Sequence, residues 1–270
     1  MRTAIAATKL GRSALILVYG DAGVGKSRLL EEMRSCESEG VTWLEGRCFA
    51  STQTLSYAPI LDLLRRHIGI TDKQKVEEQQ ATLRHYVETN FSANAQVYAV
   101  LAQLLALSLT NADEEFLKRL KGEEFRARFF AIVEQGLLSL AKQQPVVVMI
   151  DDLHWADASC VDLLASILPL LNRTKLTFIV VTRSRQTPIS LWGKLVPALE
   201  ECREHLVEIP LQSLSNDESR TLMESLLGGN YLPEPLAAKI LDKSEGNPFF
   251  LEEVLRSGHR QHGLDTLLDA

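Results

Sequence analysis

The sequence predicts an α/β fold: a parallel sheet wound by helices, with a glycine-rich turn after its first strand. Three observations carry that expectation. Five short runs, residues 14–19, 41–45, 146–150, 176–181 and 206–209, are near-continuously apolar or β-branched, as strands covered on both faces must be. Stretches of helical spacing lie between them, so the layout is β-α-β repeated, with right-handed crossovers. The first run leads into Gly20-Asp21-Ala22-Gly23-Val24-Gly25-Lys26-Ser27, a G-x-x-x-x-G-K-S pattern, and then into Arg28–Arg34, which has helical spacing.

The elements follow in order. Strand, glycine turn and helix start together form a nest of backbone N–H groups, and the glycines let the backbone wrap a phosphate without Cβ clashes. The span from residue 49 to 144 is too long for one crossover. Within it, 59–68 sets Ile60, Leu63, Leu64 and Ile68 on one side, and 96–109 is apolar nearly all round. In 124–141, Phe125, Phe129, Ile132, Val133, Leu137 and Leu140 recur at helical spacing. The first two stretches read as a helical insertion at about 50–120, and the third as the helix feeding the third strand. Residues 71–80 are charged and polar and read as a solvated helix or loop. After Pro210 the chain turns all-helical. Ser215-Asn216-Asp217-Glu218 is a capping box opening a helix that ends at Gly228-Gly229. A second helix follows Pro233-Glu234-Pro235 and stops near Gly246. Asn247 then caps a third over 249–256, with Pro248 at its first position and Gly258 closing it. The expected division is an α/β core over 1–211, a helical lid over 212–258 and a frayed tail over 259–270.

Composition narrows the function classes. Apolar and charged fractions of 46% and 24% are those of a soluble globular protein. A net charge of −6 and a pI near 5.6 argue against a DNA-coating surface. Residues 1–10 lack the apolar core of a secretion signal. The most apolar stretch, 97–109, is too short to span a bilayer and carries Gln103. Cys36, Cys48, Cys160 and Cys202 show no C-x-x-C or metal-ligand spacing, so reduced structural thiols in the cytoplasm are expected.

Three constellations carry chemistry. In the phosphate loop, Lys26 can reach the β- and γ-phosphates of a nucleoside triphosphate and the Ser27 hydroxyl can take one Mg²⁺ position. The cofactor-binding set is Gly20, Asp21, Ala22, Gly23, Val24, Gly25, Lys26, Ser27 and Arg28. The run Val146–Ile150 delivers Asp151 at the end of its strand, where a carboxylate can hold the Mg²⁺. Asp152 stands next to it in position to orient a water, with a reach one methylene shorter than glutamate's, which suits slow chemistry. The fourth strand ends in Thr182-Arg183, and Arg183 can sense a γ-phosphate through charge-assisted hydrogen bonds. Arg185 lies two residues further out and is the poorer candidate.

The string Asp151-Asp-Leu-His-Trp-Ala-Asp157, together with the phosphate loop, Thr182-Arg183 and Glu245-Gly-Asn-Pro-Phe-Phe-Leu-Glu-Glu253, resembles the bacterial signal-transduction P-loop ATPases of the STAND and AAA+-like type. Those modules occur in large LuxR-type transcription regulators and beside class III nucleotide cyclase domains. The resemblance covers residues 12–256. It implies a five-stranded P-loop NTPase sheet in the order 5-1-4-3-2, Asp151 as the magnesium acid, Asp152 as the water-orienting acid and Arg183 as a sensor. It also implies that the Gly246-Asn247-Pro248 turn lies near the adenine of ATP, with Pro248 packing on the base. His154 and Trp155 fit the string without an assigned chemical step. The family's G-R-E-x-E-like segment before the first strand and its appended output domains are absent from this sequence, so a fragment or a stand-alone copy is expected. The expected function is an ATP- and Mg²⁺-dependent signalling switch, with ATP and ADP as ligands, a protein partner or fused output domain, nucleotide-dependent self-association, no membrane and no nucleic acid held by this domain. Two alternatives stay open: a nucleotide-binding interaction module with little hydrolysis, and an initiator-type DNA-loading ATPase.

Overall fold

The structure is a computed structural model, and it describes residues 11–37, 39–183, 189–229 and 232–260. The readings made above for residues 1–10, Arg185 and the tail 261–270 lie outside the described residues.

Five strands, β1 (Ala14–Tyr19), β2 (Thr42–Arg47), β3 (Val146–Asp151), β4 (Leu176–Thr182) and β5 (Leu206–Pro210), form one parallel sheet in the order β2-β3-β4-β1-β5. This is the expected order read from the opposite edge. Burial follows position in the sheet. Every residue of β4 and all but one of β3 are buried, which only a strand covered on both faces requires. β5, at the edge, has no buried residue. In register, Val146 faces Thr42 on one side and Leu176 on the other, and Arg47, the last residue of β2, faces Asp151, the last of β3.

The chain forms two compact units. Of the described residues, the first comprises 11–17, 36–37, 39–182 and 189–207; the second comprises 18–35, 183, 208–229 and 232–260. The first unit holds the helical insertion, α2 (Ala58–Ile68), α3 (Val76–Phe91), α4 (Ala95–Leu104) and α5 (Asn111–Arg119), followed by α6 (Gly122–Gln143), α7 (Ala158–Ile167) and α8 (Ile189–Glu201). The polar stretch 71–80 is loop as far as Lys75 and helix from Val76, in line with the sequence reading. Two features were not foreseen: that helix, α3, continues to Phe91, and α5 has no counterpart among the expected helices. Helix α5 is short and none of its residues is fully buried. It rests instead on a capping box in which Thr110 and Asp113 each accept the other's backbone N–H. Helix α4 also stops short of residue 109, because Ala106 adopts a left-handed backbone (φ 55°) that lets Leu105 and Leu107 both reach the interior.

The second unit holds the phosphate loop, α1 (Lys26–Glu37) and the C-terminal helices α9 (Asn216–Leu227), α10 (Glu234–Ser244) and α11 (Pro248–Arg260). The capping box at Ser215 and the glycine cap at Gly228 form as the sequence predicts. Helix α11 runs through Gly258 to Arg260 rather than closing there. Met223, Leu227, Ala237, Ile240, Leu251 and Leu255 make a separate apolar core among the three helices. Replacing Ile240 with alanine, at a site with no solvent exposure, is expected to destabilise this helical unit by about 2–5 kcal/mol. Leu226→Ala, at a 41% exposed site, should change stability by no more than about 0.5 kcal/mol. Urea unfolding followed by circular dichroism checks both.

Candidate functional site

The phosphate loop sits at the end of β1 and is built by backbone contacts. Gly20 N–H donates to the Arg183 carbonyl (3.1 Å) and Leu211 N–H donates to the Tyr19 carbonyl (2.7 Å). A Cβ at Gly20 would overlap the Leu211 carbonyl oxygen, so only glycine permits this approach. Gly23 and Gly25 both take positive φ (83° and 96°), which fits them to the turn. Lys26 is buried, and its Nζ donates to the carbonyls of Gly20 (2.7 Å) and Asp21 (2.6 Å), curling over the loop that it follows. Ser27 and Arg28 open α1 with exposed side chains. The space where a Cβ of Gly25 would stand has no atom within 4 Å. A turn with open space over its last glycine, a lysine ammonium held on it and a hydroxyl at the helix start fits a triphosphate and a hard divalent cation.

The two acids end β3 in the first unit. Asp151 is buried and accepts from the Asp152 N–H through Oδ1 (2.9 Å), while its backbone carbonyl accepts from Cys48 N–H (3.0 Å). Asp152 has a left-handed backbone (φ 54°), an uncommon conformation for a residue with a Cβ and one that recurs at functional turns. Arg47 spans both carboxylates, with Nε 3.7 Å from Asp151 and Nη2 3.3 Å from Asp152. Its guanidinium also lies over the Phe49 ring, 5.6 Å from the centroid. The sequence reading did not single out Arg47; its signal was positional, since it closes β2 in register with the acid that closes β3. The Cys48 thiol is pushed up to about 12, by burial first and then by the negative charge of Asp152, Asp151 and Asp157.

Asp157, the last residue of the D-D-L-H-W-A-D string, is a structural joint. One carboxylate oxygen accepts the N–H groups of Ser159 (2.9 Å) and Cys160 (3.3 Å), capping α7, and the other accepts the N–H of Tyr57 (3.1 Å) at the start of α2. His154 and Trp155 form a one-turn 3-10 helix with Leu153, their rings 5.0 Å apart.

In the second unit, Arg183 is exposed and its backbone meets the phosphate loop at Gly20. Pro248 begins α11 between two residues that touch the loop. Asn247 Nδ2 donates to the Ala22 carbonyl (3.0 Å), and Phe249 N–H donates to the Gly23 carbonyl (3.2 Å). Asn247 was expected to cap the helix and, by resemblance, to sit in a turn near the adenine, with no contact to the phosphate loop. It does cap, through Oδ1, and its amide nitrogen does the rest.

The AAA ATPase domain family matches residues 1–181. The chain belongs to that family. A second family, described as Domain of unknown function (DUF8739), matches residues 215–264 of this AAA ATPase. The uncharacterized protein R02095 of Rhizobium meliloti (strain 1021) is 26% identical over 250 residues, which are 90% of this chain and 22% of that protein. The AAA ATPase described here therefore spans about a fifth of that relative's length. Among solved structures, Cdc6p from Pyrobaculum aerophilum aligns with 93% of this chain and 57% of its own at a TM-score of 0.53 and 10% identity, a likeness of fold. The STAND protein with a tetratricopeptide repeat sensor from Pyrococcus horikoshii aligns with 93% of this chain and 28% of its own, at a TM-score of 0.42 and 14% identity. No helix among the described residues is long and apolar enough to cross a membrane.

Two outcomes are expected of this geometry. Asp157→Ala removes an acceptor shared by three backbone N–H groups and should destabilise the fold by about 2–4 kcal/mol, whereas Arg47→Ala, an exposed pair partner, should change stability by less than about 1 kcal/mol. Chemical denaturation of the two variants checks the contrast. Of the four thiols only Cys36 is exposed. The other three are buried, with burial pushing Cys202 up to about 11 and Cys160 well above the ordinary thiol value. Ellman's reagent at pH 8 should therefore titrate one thiol in the native protein and four in denaturant.

Proposed function

We propose that this chain is an ATP-binding, Mg²⁺-dependent ATPase that works as a nucleotide-controlled regulatory switch inside a larger cytoplasmic protein. The observation that carries the reading is the direct bonding of the phosphate loop to the turn that opens α11, through Asn247 and Phe249. A ligand that fills the loop acts on the helical lid over 212–258 through that turn. The two therefore form a natural two-state element. The small share that the chain makes up of its Rhizobium relative supports a module whose input and output lie elsewhere, in a fused domain or a protein partner. Nucleotide-dependent self-association belongs to the same reading.

The residues divide the work as follows. The amides of Gly20–Ser27 and the Lys26 ammonium would take the phosphates, and Arg28 and Pro248 would flank the nucleotide. Ser27 and Asp151 would hold Mg²⁺, which when bound neutralises phosphate charge. Asp152 would orient water, and Arg183 would stabilise charge on the terminal phosphate. ATP as the nucleotide rests on the family resemblance. A second reading, a nucleotide-dependent interaction module with little turnover, is favoured by Asp152 itself, a short acid in a left-handed backbone and ion-paired with Arg47. A net charge of −6 weighs against a DNA-loading role.

Calorimetric titration tests the phosphate loop: Lys26→Ala should weaken MgATP binding by at least about a hundredfold, as loss of a charge-assisted contact to phosphate implies. Wild-type affinity in that variant sinks the reading. Asp151→Ala should retain the fold and lose the dependence of nucleotide affinity on Mg²⁺, measured by titration with and without the metal. Single-turnover hydrolysis separates enzyme from module. Asp152→Asn should bind ATP as the wild type does and hydrolyse it at least about tenfold more slowly; equal absence of turnover in both proteins favours the module.

A further inference from the structure

We propose that the Gly246–Phe249 turn is a positioning element for the phosphate loop, with Asn247 as its principal residue; this rests on the loop being the phosphate site. The argument begins with peptide planarity. A trans peptide holds its C=O and N–H on opposite edges of one rigid plane, and the described chain has no cis peptide bond. The Ala22 carbonyl shares its plane with the Gly23 N–H, and the Gly23 carbonyl shares its plane with the Val24 N–H. Asn247 Nδ2 holds the first carbonyl at 3.0 Å and Phe249 N–H holds the second at 3.2 Å. Fixing two consecutive carbonyls fixes the directions of the two N–H groups opposite them. Those N–H groups belong to the loop whose work is to donate to phosphate oxygens.

The turn is itself held firmly enough to do this. Gly246 takes φ 73° and its carbonyl accepts from Leu214 N–H (2.8 Å); a Cβ on Gly246 would overlap the Leu214 carbonyl. Asn247 N–H donates to the Ser244 carbonyl (2.7 Å), and Asn247 Oδ1 accepts from Phe249 (3.1 Å) and Phe250 (3.4 Å). Two amide donors on Oδ1 and a carbonyl at Nδ2 fix the orientation of the Asn247 amide. That amide lies so close to Gly23 that a Cβ there would overlap it. Gly23 thus serves two purposes: it adopts a positive φ, and it leaves room for Asn247. One side chain both starts α11 and sets the loop. By linkage, what the turn adds to phosphate affinity, bound phosphate adds to docking of the turn.

The test uses the full chain with MgADP and Mg-pyrophosphate, the second being a probe without a base. Asn247→Ser keeps a helix-capping oxygen but has no amide to reach Ala22. It should weaken both ligands about three- to tenfold, the scale of one neutral hydrogen bond, with the melting temperature of the protein alone within about two degrees of wild type. Hydrogen exchange in α11 should slow on adding MgADP to the wild type and do so less in N247S. N247D, which caps but cannot donate and adds a negative charge beside the phosphates, should lose more affinity than N247S. Wild-type affinity in either variant, or a loss confined to MgADP and missing with pyrophosphate, overturns the proposal alone. A wild-type protein that binds neither ligand overturns the phosphate-loop reading and this inference together.

Discussion

The close backbone approach at Gly20 is the constraint on which the second unit depends. There the end of β1 meets two other segments at once: the Arg183 carbonyl accepts the Gly20 N–H, and the 210–214 connection crosses so near that no Cβ would fit. Three stretches far apart in sequence are thus tied by main-chain groups, which no side-chain substitution can remove without first removing the glycine. The same device recurs at Gly246 against the Leu214 backbone, and at Gly23 the close neighbour is the Asn247 side-chain amide. Glycines at φ > 0 give up conformational freedom on folding. Here they gain hydrogen bonds that pin a loop with no regular secondary structure of its own.

The acidic end of β3 is built on the opposite principle. Asp151 and Asp152 are adjacent carboxylates, and Asp152 sits in a backbone region that side chains with a Cβ avoid. Such an arrangement persists only when its surroundings over-determine it. Arg47 supplies a counter-charge, Cys48 N–H takes the Asp151 carbonyl, and the one-turn helix beyond Asp152 donates Trp155 N–H back to the Asp152 carbonyl (2.9 Å). An exposed guanidinium is a screened and exchangeable partner, worth little to stability. That suits the proposed role of the two acids, in which a cation would take the place of the guanidinium. The firm anchoring is done one turn later by Asp157, whose carboxylate holds α2 and α7 to the same segment.

Much of this was legible in the sequence, and the reasons differ by element. The strands could be read because a parallel strand buried on both faces can be nothing but apolar, and β3 and β4 satisfy that almost without exception. The caps at Ser215 and Gly228 could be read because their chemistry is local. Helix α5 was not read: it is nine residues long and Phe116 and Leu117 are its only large apolar side chains, half-buried. Arg47, Asn247 and Asp157 were missed or only half read for a common reason. Each acts on a backbone group or carboxylate that is remote in sequence, by 104 residues between Arg47 and Asp151 and 225 between Asn247 and Ala22. A single sequence records such pairs only as ordinary polar residues at element ends.

The energetics bound what the loop-to-helix contact can do. Two neutral hydrogen bonds, each worth about 1 kcal/mol net, cap the coupling at about 2 kcal/mol, or some thirtyfold in affinity. That is too little to drive an equilibrium from one extreme to the other, which takes about 5.5 kcal/mol. It is enough to bias a nearly balanced one. A contact of this size is easily made and broken. The apolar core joining α9, α10 and α11 does not depend on it, because Ile240 and Leu251 are wholly buried within the unit itself. Under the proposed function, the loop would act on the helical unit as a body, through one turn, rather than by loosening its interior.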